Sequence, residues 1–248
     1  MSLNHAFILQ QVRCRASGTA VLDFGCGQGE FVALARREGM DAQGCDFYAG
    51  PWAWLFDDVK TNPALRDHVR QIEPDGRLPF PDASFDAVTS NVVFEHIADF
   101  DRPVSEIARV LKPGGVFVVL FPSRELWFEH HVGLPFGHRF PSPAYFSAAH
   151  RLGLGWGREN LSREAWVARS VASMRDEVAY RPARDVEALF GRAFDIEQRA
   201  EADWIRDRVA HSRLRPLGSL IAPRVADPLL RFLCRRLATM VLVLRKRG

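Results

Sequence analysis

One ten-residue stretch, Val21-Leu22-Asp23-Phe24-Gly25-Cys26-Gly27-Gln28-Gly29-Glu30, limits the folds open to this chain more than any other. An apolar run carries an acid, glycines follow at alternate positions, and a helical pattern begins at once. That is how a buried parallel strand turns sharply into a helix beside a ligand. Glycine has no Cβ, so its backbone reaches φ > 0 and lets a ligand come close. Open α/β sheets bind ligands where such turns gather, at the carboxyl ends of the strands. A dinucleotide fingerprint, G-x-G-x-x-G, would need its third glycine at position 30 or 32. Glu30 and Val32 stand there. The count argues against an NAD-dependent oxidoreductase, which remains the rival enzyme class.

The flanking pattern predicts alternating strands and helices. Phe7, Ile8 and Val12 mark a short leading helix, and a first strand covers about 20–24. Phe31, Val32, Leu34 and Ala35 give the next helix an apolar face, and Gly39 is a natural end for it. A second strand, Asp41 to Phe47, ends in an acid. Asp46 lies 17 residues past Gly29, and a carboxylate at that place can accept both hydroxyls of a ribose. Trp52, Trp54, Leu55 and Phe56 follow Pro51 as an aromatic cluster, suited either to the core or to a wall of the ligand site. Val69 to Glu73 reads as a third strand. The proline-stiffened Leu78-Pro79-Phe80-Pro81-Asp82-Ala83-Ser84-Phe85-Asp86 leads into a mostly apolar fourth strand ending near Glu95-His96. Asp101 is a candidate cap for a helix opening near Pro103. Val104, Ile107, Val110 and Leu111 form its sheet-facing stripe. Lys112-Pro113-Gly114-Gly115 ends that helix before a buried fifth strand, Val116 to Phe121.

Asp23-x-Gly25-x-Gly27-x-Gly29 resembles motif I of the class I S-adenosylmethionine (SAM) methyltransferases. The Leu78–Asp86 loop, Glu95-His96 and the Leu111-Lys112-Pro113-Gly114-Gly115 turn resemble the type 11 group within them, in the same order and spacing. The resemblance implies an α/β fold with a seven-stranded sheet, order 3-2-1-4-5-7-6, strand 7 antiparallel and helices on both faces. It implies S-adenosyl-L-methionine as cofactor, cradled by Asp23, Gly25, Cys26, Gly27 and Gly29, with Asp46 and Phe47 at its ribose. Ser90 and Asn91 would end strand 4 beside the transferable methyl group. Many relatives carry Gly-Asp-Ala just before the proline loop, with its acid on the adenine amine. Here those positions read Glu73-Pro74-Asp75, which leaves the adenine to Asp75 or to the local backbone.

Specificity falls to the second half of the chain. Residues 123–183 form an insertion rich in aromatics and histidines, at the end of the sheet where the cofactor loops gather. Loops placed by a rigid scaffold usually carry specificity. Methyl transfer is an in-line displacement, so the protein supplies alignment and, for a hydroxyl acceptor, a base. His130 and His131 are the candidate general bases. Glu95 and His96 read instead as a pair that shapes its loop. The spacing of His130, His131 and His138 matches no metal motif, so no metal is expected. Gly153-Leu154-Gly155-Trp156-Gly157 reads as a hinge before a helix near 162–178. Arg184 to Phe190, Phe194 to Glu197 and Thr239 to Leu244 supply a sheet helix and the last two strands. Close-looking relatives with Phe121-Pro122-Ser123 and a later Glu129-His130 are associated with surface polysaccharides. The resemblance therefore implies oxygen methylation of a hydroxyl on a small molecule, a sugar or a lipid-linked glycan.

A second insertion, about 201–237, breaks the last two strands apart. The net charge of the chain is +3, but residues 199–248 carry 12 Lys and Arg against 4 Asp and Glu, a local +8 that leaves −5 elsewhere. Asp227 and Pro228 open a basic amphipathic helix there. Its partner is the sheet, a second copy of the chain or a membrane surface. A non-catalytic protein of this fold that binds a membrane or RNA through this region is the third reading, although no RNA motif is visible. No apolar run is long enough to span a bilayer, and the four cysteines form no CxxC pair. A single cytoplasmic domain with reduced thiols, and no nucleic-acid partner, is the expectation.

Overall fold

The computed structural model describes residues 2–48 and 53–248. Its sheet strands are β1 (Ala20–Phe24), β2 (Asp41–Asp46), β3 (Val69–Gln71), β4 (Phe85–Asn91), β5 (Leu111–Phe121), β6 (Phe194–Arg199) and β7 (Met240–Lys246). They lie in the order β3-β2-β1-β4-β5-β7-β6. The first five are parallel, and β7 runs antiparallel to both its neighbours. This is the expected seven-stranded topology among the described residues.

Alternation along each strand divides the core. Leu22, Phe24, Val88 and Phe117 face a layer made by α4 (Asp101–Val110) and the helix Ala183–Phe190, with Phe94 at its centre. Val21, Ala87, Val118 and Val243 face the opposite layer, made by α1 (Leu3–Arg15), α2 (Glu30–Arg37) and α3 (Trp54–Thr61). Because every parallel strand is covered on both sides, ligands can enter only at the strand ends.

Several boundaries differ from the sequence reading. The leading helix is long, 13 residues, because Ser2 caps it and Phe7, Ile8 and Val12 are buried. Asp101 is not a cap: it lies inside the first turn of α4, and Asp99 Oδ1 accepts its N–H at 2.9 Å. The expected helix 162–178 stops at Ala172 and continues as a five-residue π-turn, Ser173–Glu177. The glycine-rich 153–157 segment is a packed turn rather than a hinge. Trp166 Nε1–H donates to the Trp156 carbonyl at 2.8 Å, and a Cβ on Gly155 would lie 2.3 Å from the Trp166 ring. The helix Asp227–Leu237 opens with Asp227 inside it, its carboxylate paired with Arg206 and Arg224. Pro51 and Trp52 lie outside the described residues. Among the described residues no helix is long and apolar enough to cross a membrane.

Candidate active site

β1 carries the chain to the glycine turn. Gly25, Gly27 and Gly29 have φ of 75°, 50° and 76°, a region that penalises residues with a Cβ by ~1–2 kcal/mol. At Gly25 the constraint is also spatial, since a Cβ would sit 2.3 Å from Val93 Cγ2. A Cβ at Gly27 would meet nothing within 4 Å, because it projects into open space. The Gly25 and Cys26 N–H groups donate to the Cys45 carbonyl at 2.8 and 3.1 Å, which ties the turn to β2.

β2 ends at Asp46. The Gly27 N–H donates to Asp46 Oδ2 at 2.9 Å and the Phe47 N–H to Oδ1 at 2.7 Å. Each oxygen then retains a second lone pair. Burial raises the Asp46 carboxyl above its usual range, and the two amide bonds restrain that rise. A cavity of about 440 Å³ opens over this carboxylate. Gly25, Gly27, Asp46 and Phe47 line it on one side; Ile72, Val92, Val93, His96 and Ile97 close the other.

Tyr48 also lines the cavity, and the sequence reading passed over it. Its hydroxyl donates to the Gly27 carbonyl at 2.7 Å, and its ring stacks on Phe56 with centroids 4.5 Å apart. Tyr48 and Val92 have φ of 46° and 59°. Strained non-glycine residues of this kind gather at ligand sites. The only early signal for Tyr48 was its place two residues past Asp46. From the aromatic cluster, Leu55 lines the cavity while Trp54 is exposed.

The remaining predicted residues fall at graded distances from this cavity. Asp23 is buried beneath the turn, where Thr89 Oγ1–H donates to its Oδ1 at 2.8 Å. Burial pushes its carboxyl up to about 7, against the Thr89 bond and with help from Asp46. Cys26 is buried behind the turn, its Sγ 3.4 Å from the Tyr48 hydroxyl. Gly29 caps α2 under Leu65 and is not in the lining. Asp75 does not reach the cavity: it is exposed and pairs with Arg102 at 3.3 Å, and Ile72 takes the lining position at that strand end. Ser90 is fully buried. Asn91 is held by α1 instead, with Asn4 Nδ2–H donating to its Oδ1 at 3.0 Å.

A second cavity, about 560 Å³, lies on the other side of His96. His131, Trp156, Trp166, Arg169 and Glu177 line it, and His96 belongs to both cavities. His96 Nδ1–H donates to the Glu177 carbonyl at 2.6 Å. A carbonyl only accepts, so Nδ1 carries the proton and Nε2 presents a lone pair. Burial lowers the His96 pKa, which keeps the ring neutral.

His131 stands edge-on to His96, ring centroids 5.2 Å apart. Its Nδ1–H donates to Glu129 Oε1, as does the Tyr180 hydroxyl at 2.8 Å. The His131 and Val132 N–H groups donate to Glu129 Oε2, each at 2.8 Å. Burial by itself would raise the Glu129 carboxyl, yet the His131 side chain and these amides bring it down to about 2. Burial likewise lowers the pKa of His131, but the Glu129 carboxylate outweighs it and the net shift is upward. This is the orienter–base arrangement of acid–base enzymes. His130 is exposed, packs near Phe128 and is not in the lining of either cavity. Glu95, beside this cluster, is 1% exposed, and neither carboxylate oxygen has a hydrogen-bond partner.

The first cavity fits a sulfonium nucleoside. Its apolar walls suit an adenine and its paired acceptors suit a ribose diol. The open face of Gly27 admits a ligand that any side chain there would obstruct. The sheet order is that of the class I methyltransferase fold, and the cavity lies at the strand ends where that fold binds its ligand.

Residues 22–119 match the model of the methyltransferase domain family, type 11. The chain is 34% identical over 128 residues to a "Probable S-adenosylmethionine-dependent methyltransferase" of Mycolicibacterium smegmatis, covering 48% of this chain and 44% of the relative. It is 39% identical over 106 residues to a demethylmenaquinone methyltransferase of Thermus thermophilus, covering 41% and 47%. The chain thus spans about half the length of these curated relatives. A SAM-dependent methyltransferase structure from Mesorhizobium loti superposes with a TM-score of 0.57 at 16% identity, covering 99% of this chain and 100% of that one. At that identity the likeness concerns the fold.

Proposed function

We propose that the chain transfers a methyl group from S-adenosyl-L-methionine to a hydroxyl-bearing small molecule held in the second cavity. The observation that carries this is the shared wall: one side chain, His96, borders both the nucleoside cavity and the cavity containing the Glu129–His131 pair. When bound, the cofactor supplies an electrophilic methyl group on sulfur. Asp46 grips its ribose, and the turn from Gly25 to Gly27 sets its depth. An acceptor ring lies against Trp156 or Trp166, faces that suit aromatic and sugar rings alike. The acceptor hydroxyl gives its proton to His131 Nε2. Glu129 holds the ring in the tautomer that exposes Nε2 and stabilises the imidazolium that forms. His96, neutral and fixed by the Glu177 carbonyl, keeps the acceptor aligned and water out.

The demethylmenaquinone relative raises a second acceptor class, a quinone ring methylated at carbon. The family match ends at residue 119, whereas His131, Trp156, Trp166 and Glu177 all lie beyond it. The acceptor cavity thus lies outside the segment matched by the family model, and we favour oxygen methylation of a sugar or other hydroxylated ring. NAD-dependent oxidoreduction loses its ground to the methyltransferase match.

The test is methyl transfer from SAM to a panel of hydroxylated aromatics, glycosides and demethylmenaquinone, with products assigned by mass and NMR. His131→Gln keeps SAM affinity by calorimetry and loses ~10²–10⁴-fold in turnover, the usual worth of a general base. Full turnover in that variant would remove the assignment of the base. Because the His131 pKa is raised above 6.5, kcat/KM climbs with pH through a midpoint above 6.5. Glu129→Gln moves that midpoint down while lowering the plateau.

A further inference from the structure

The second insertion leaves an unusual surface. Sixteen large apolar side chains are exposed among the described residues, and seven of them fall between Leu214 and Leu237. Leu220 and Val225 are the most open, at 73% and 87%. In the helix Asp227–Leu237, Leu230 and Cys234 turn inward while Leu229 and Phe232, one turn apart, face out. Scattered apolar residues on a surface need no explanation, but a run this dense marks a contact site.

The charges interleaved with it are almost all positive. From residue 208 to the end of the insertion, Asp227 is the one acid, and Arg206 and Arg224 already pair with it. Arg213 and Arg215 are exposed and make no ion pair among the described residues. The Arg236 guanidinium lies over the Phe232 ring, 3.5 Å from its centroid, and faces the Trp127 ring at 5.9 Å. Trp127 belongs to the first insertion, and its N–H donates to the Arg236 carbonyl at 2.7 Å. The surface therefore continues onto Trp127, two residues before Glu129. Apolar tips that dip into acyl chains, ringed by unpaired arginines at headgroup level, are what an anionic bilayer binds. Nucleic acid would have no use for Leu220 and Val225. A second copy of the chain would have to meet Arg213, Arg215 and Arg236 with the same cations.

We propose that the surface from Leu214 to Leu237 seats the protein on membranes rich in anionic lipid. The contact is independent of the methyl-transfer reading, because it uses none of the residues of either cavity.

The experiment is co-sedimentation of the full chain with vesicles of phosphatidylcholine alone or mixed with phosphatidylglycerol. Binding is expected only with phosphatidylglycerol, weakening as salt rises. Each arginine near the surface contributes about fivefold, so Arg213→Ala with Arg215→Ala lowers the partition coefficient roughly 25-fold. Leu220→Asp with Val225→Asp abolishes binding. All four side chains are exposed, so melting temperature and SAM binding stay unchanged in both variants. Three results would overturn the proposal. One is no sedimentation, or equal sedimentation with both vesicle types. Another is a self-association, seen by analytical ultracentrifugation, that the Leu220→Asp, Val225→Asp pair dissolves. The third is RNA binding that competes with vesicles and survives that pair.

Discussion

Glu95→Gln should stabilise the protein in a way that depends on pH. Glu95 is 1% exposed, both its oxygens lack partners, and burial pushes its pKa from 4.5 to about 8, against the attraction of the nearby His131. The unfolded chain therefore releases this proton near pH 4.5, while the folded chain holds it to about pH 8. Between those values the unfolded state binds fewer protons, so stability falls as pH rises. At pH 7 the interval is about 2.5 units, and at 1.36 kcal/mol per unit the penalty is about 3 kcal/mol; above pH 8 it levels off near 5 kcal/mol. Glutamine has nearly the same shape and no proton to bind, so the variant escapes the penalty. Urea unfolding at pH 5, 7 and 8.5 measures it. The difference between variant and parent should be below 1 kcal/mol at pH 5, about 3 at pH 7 and larger at pH 8.5. Titrating groups that do not interact with Glu95, Asp23 among them, cancel because both proteins contain them. A difference that is flat with pH, or a variant less stable at pH 7, would refute the reasoning. An acid kept at such a cost beside His131 is also a place to look for lost turnover in the stabilised variant.

The cofactor site yields further outcomes. Asp46→Ala removes the acceptor of two backbone amides and of the ribose diol, so SAM affinity by calorimetry falls at least tenfold; unchanged affinity would contradict the assignment. Gly25→Ala and Gly27→Ala separate strain from obstruction. The first collides with Val93 and should cost ~2–3 kcal/mol in urea unfolding, the second ~1–2 kcal/mol from backbone strain alone, yet both should lose SAM binding. Phe94→Ala opens a void among Phe24, Phe100, Phe117 and Phe190 and should cost ~3–5 kcal/mol, read as a drop in urea midpoint without change in SAM affinity per folded molecule.

The cofactor half of the molecule was legible in the residues because its chemistry is local. A glycine turn, an acid at the next strand end and the periods of strand and helix are properties of short segments. From them follow the strands and helices, while the sheet order, with β7 reversed between β5 and β6, came from the resemblance that those segments carry. Asp75 and Ser90 show where local reading stops. Both sit next to the right strands, but Asp75 is drawn outward by Arg102 from α4, and Ser90 points into the core. Neither direction is written in the neighbouring sequence.

The acceptor side depends on contacts between residues far apart in the chain. His96 reads as an ordinary loop residue until the Glu177 carbonyl, 81 positions away, accepts its Nδ1–H and the two cavities meet at its ring. His130 and His131 are indistinguishable by type and differ by one place, but only His131 turns toward Glu129 and Tyr180. The sequence alone marked where the sheet takes its ligand, because a glycine turn and an acid at the next strand end are local, and the resemblance those residues carry pointed to the cofactor. The folded chain alone decided which histidine lines the second cavity, because side-chain direction is set by whatever distant partner arrives to accept its hydrogen bond.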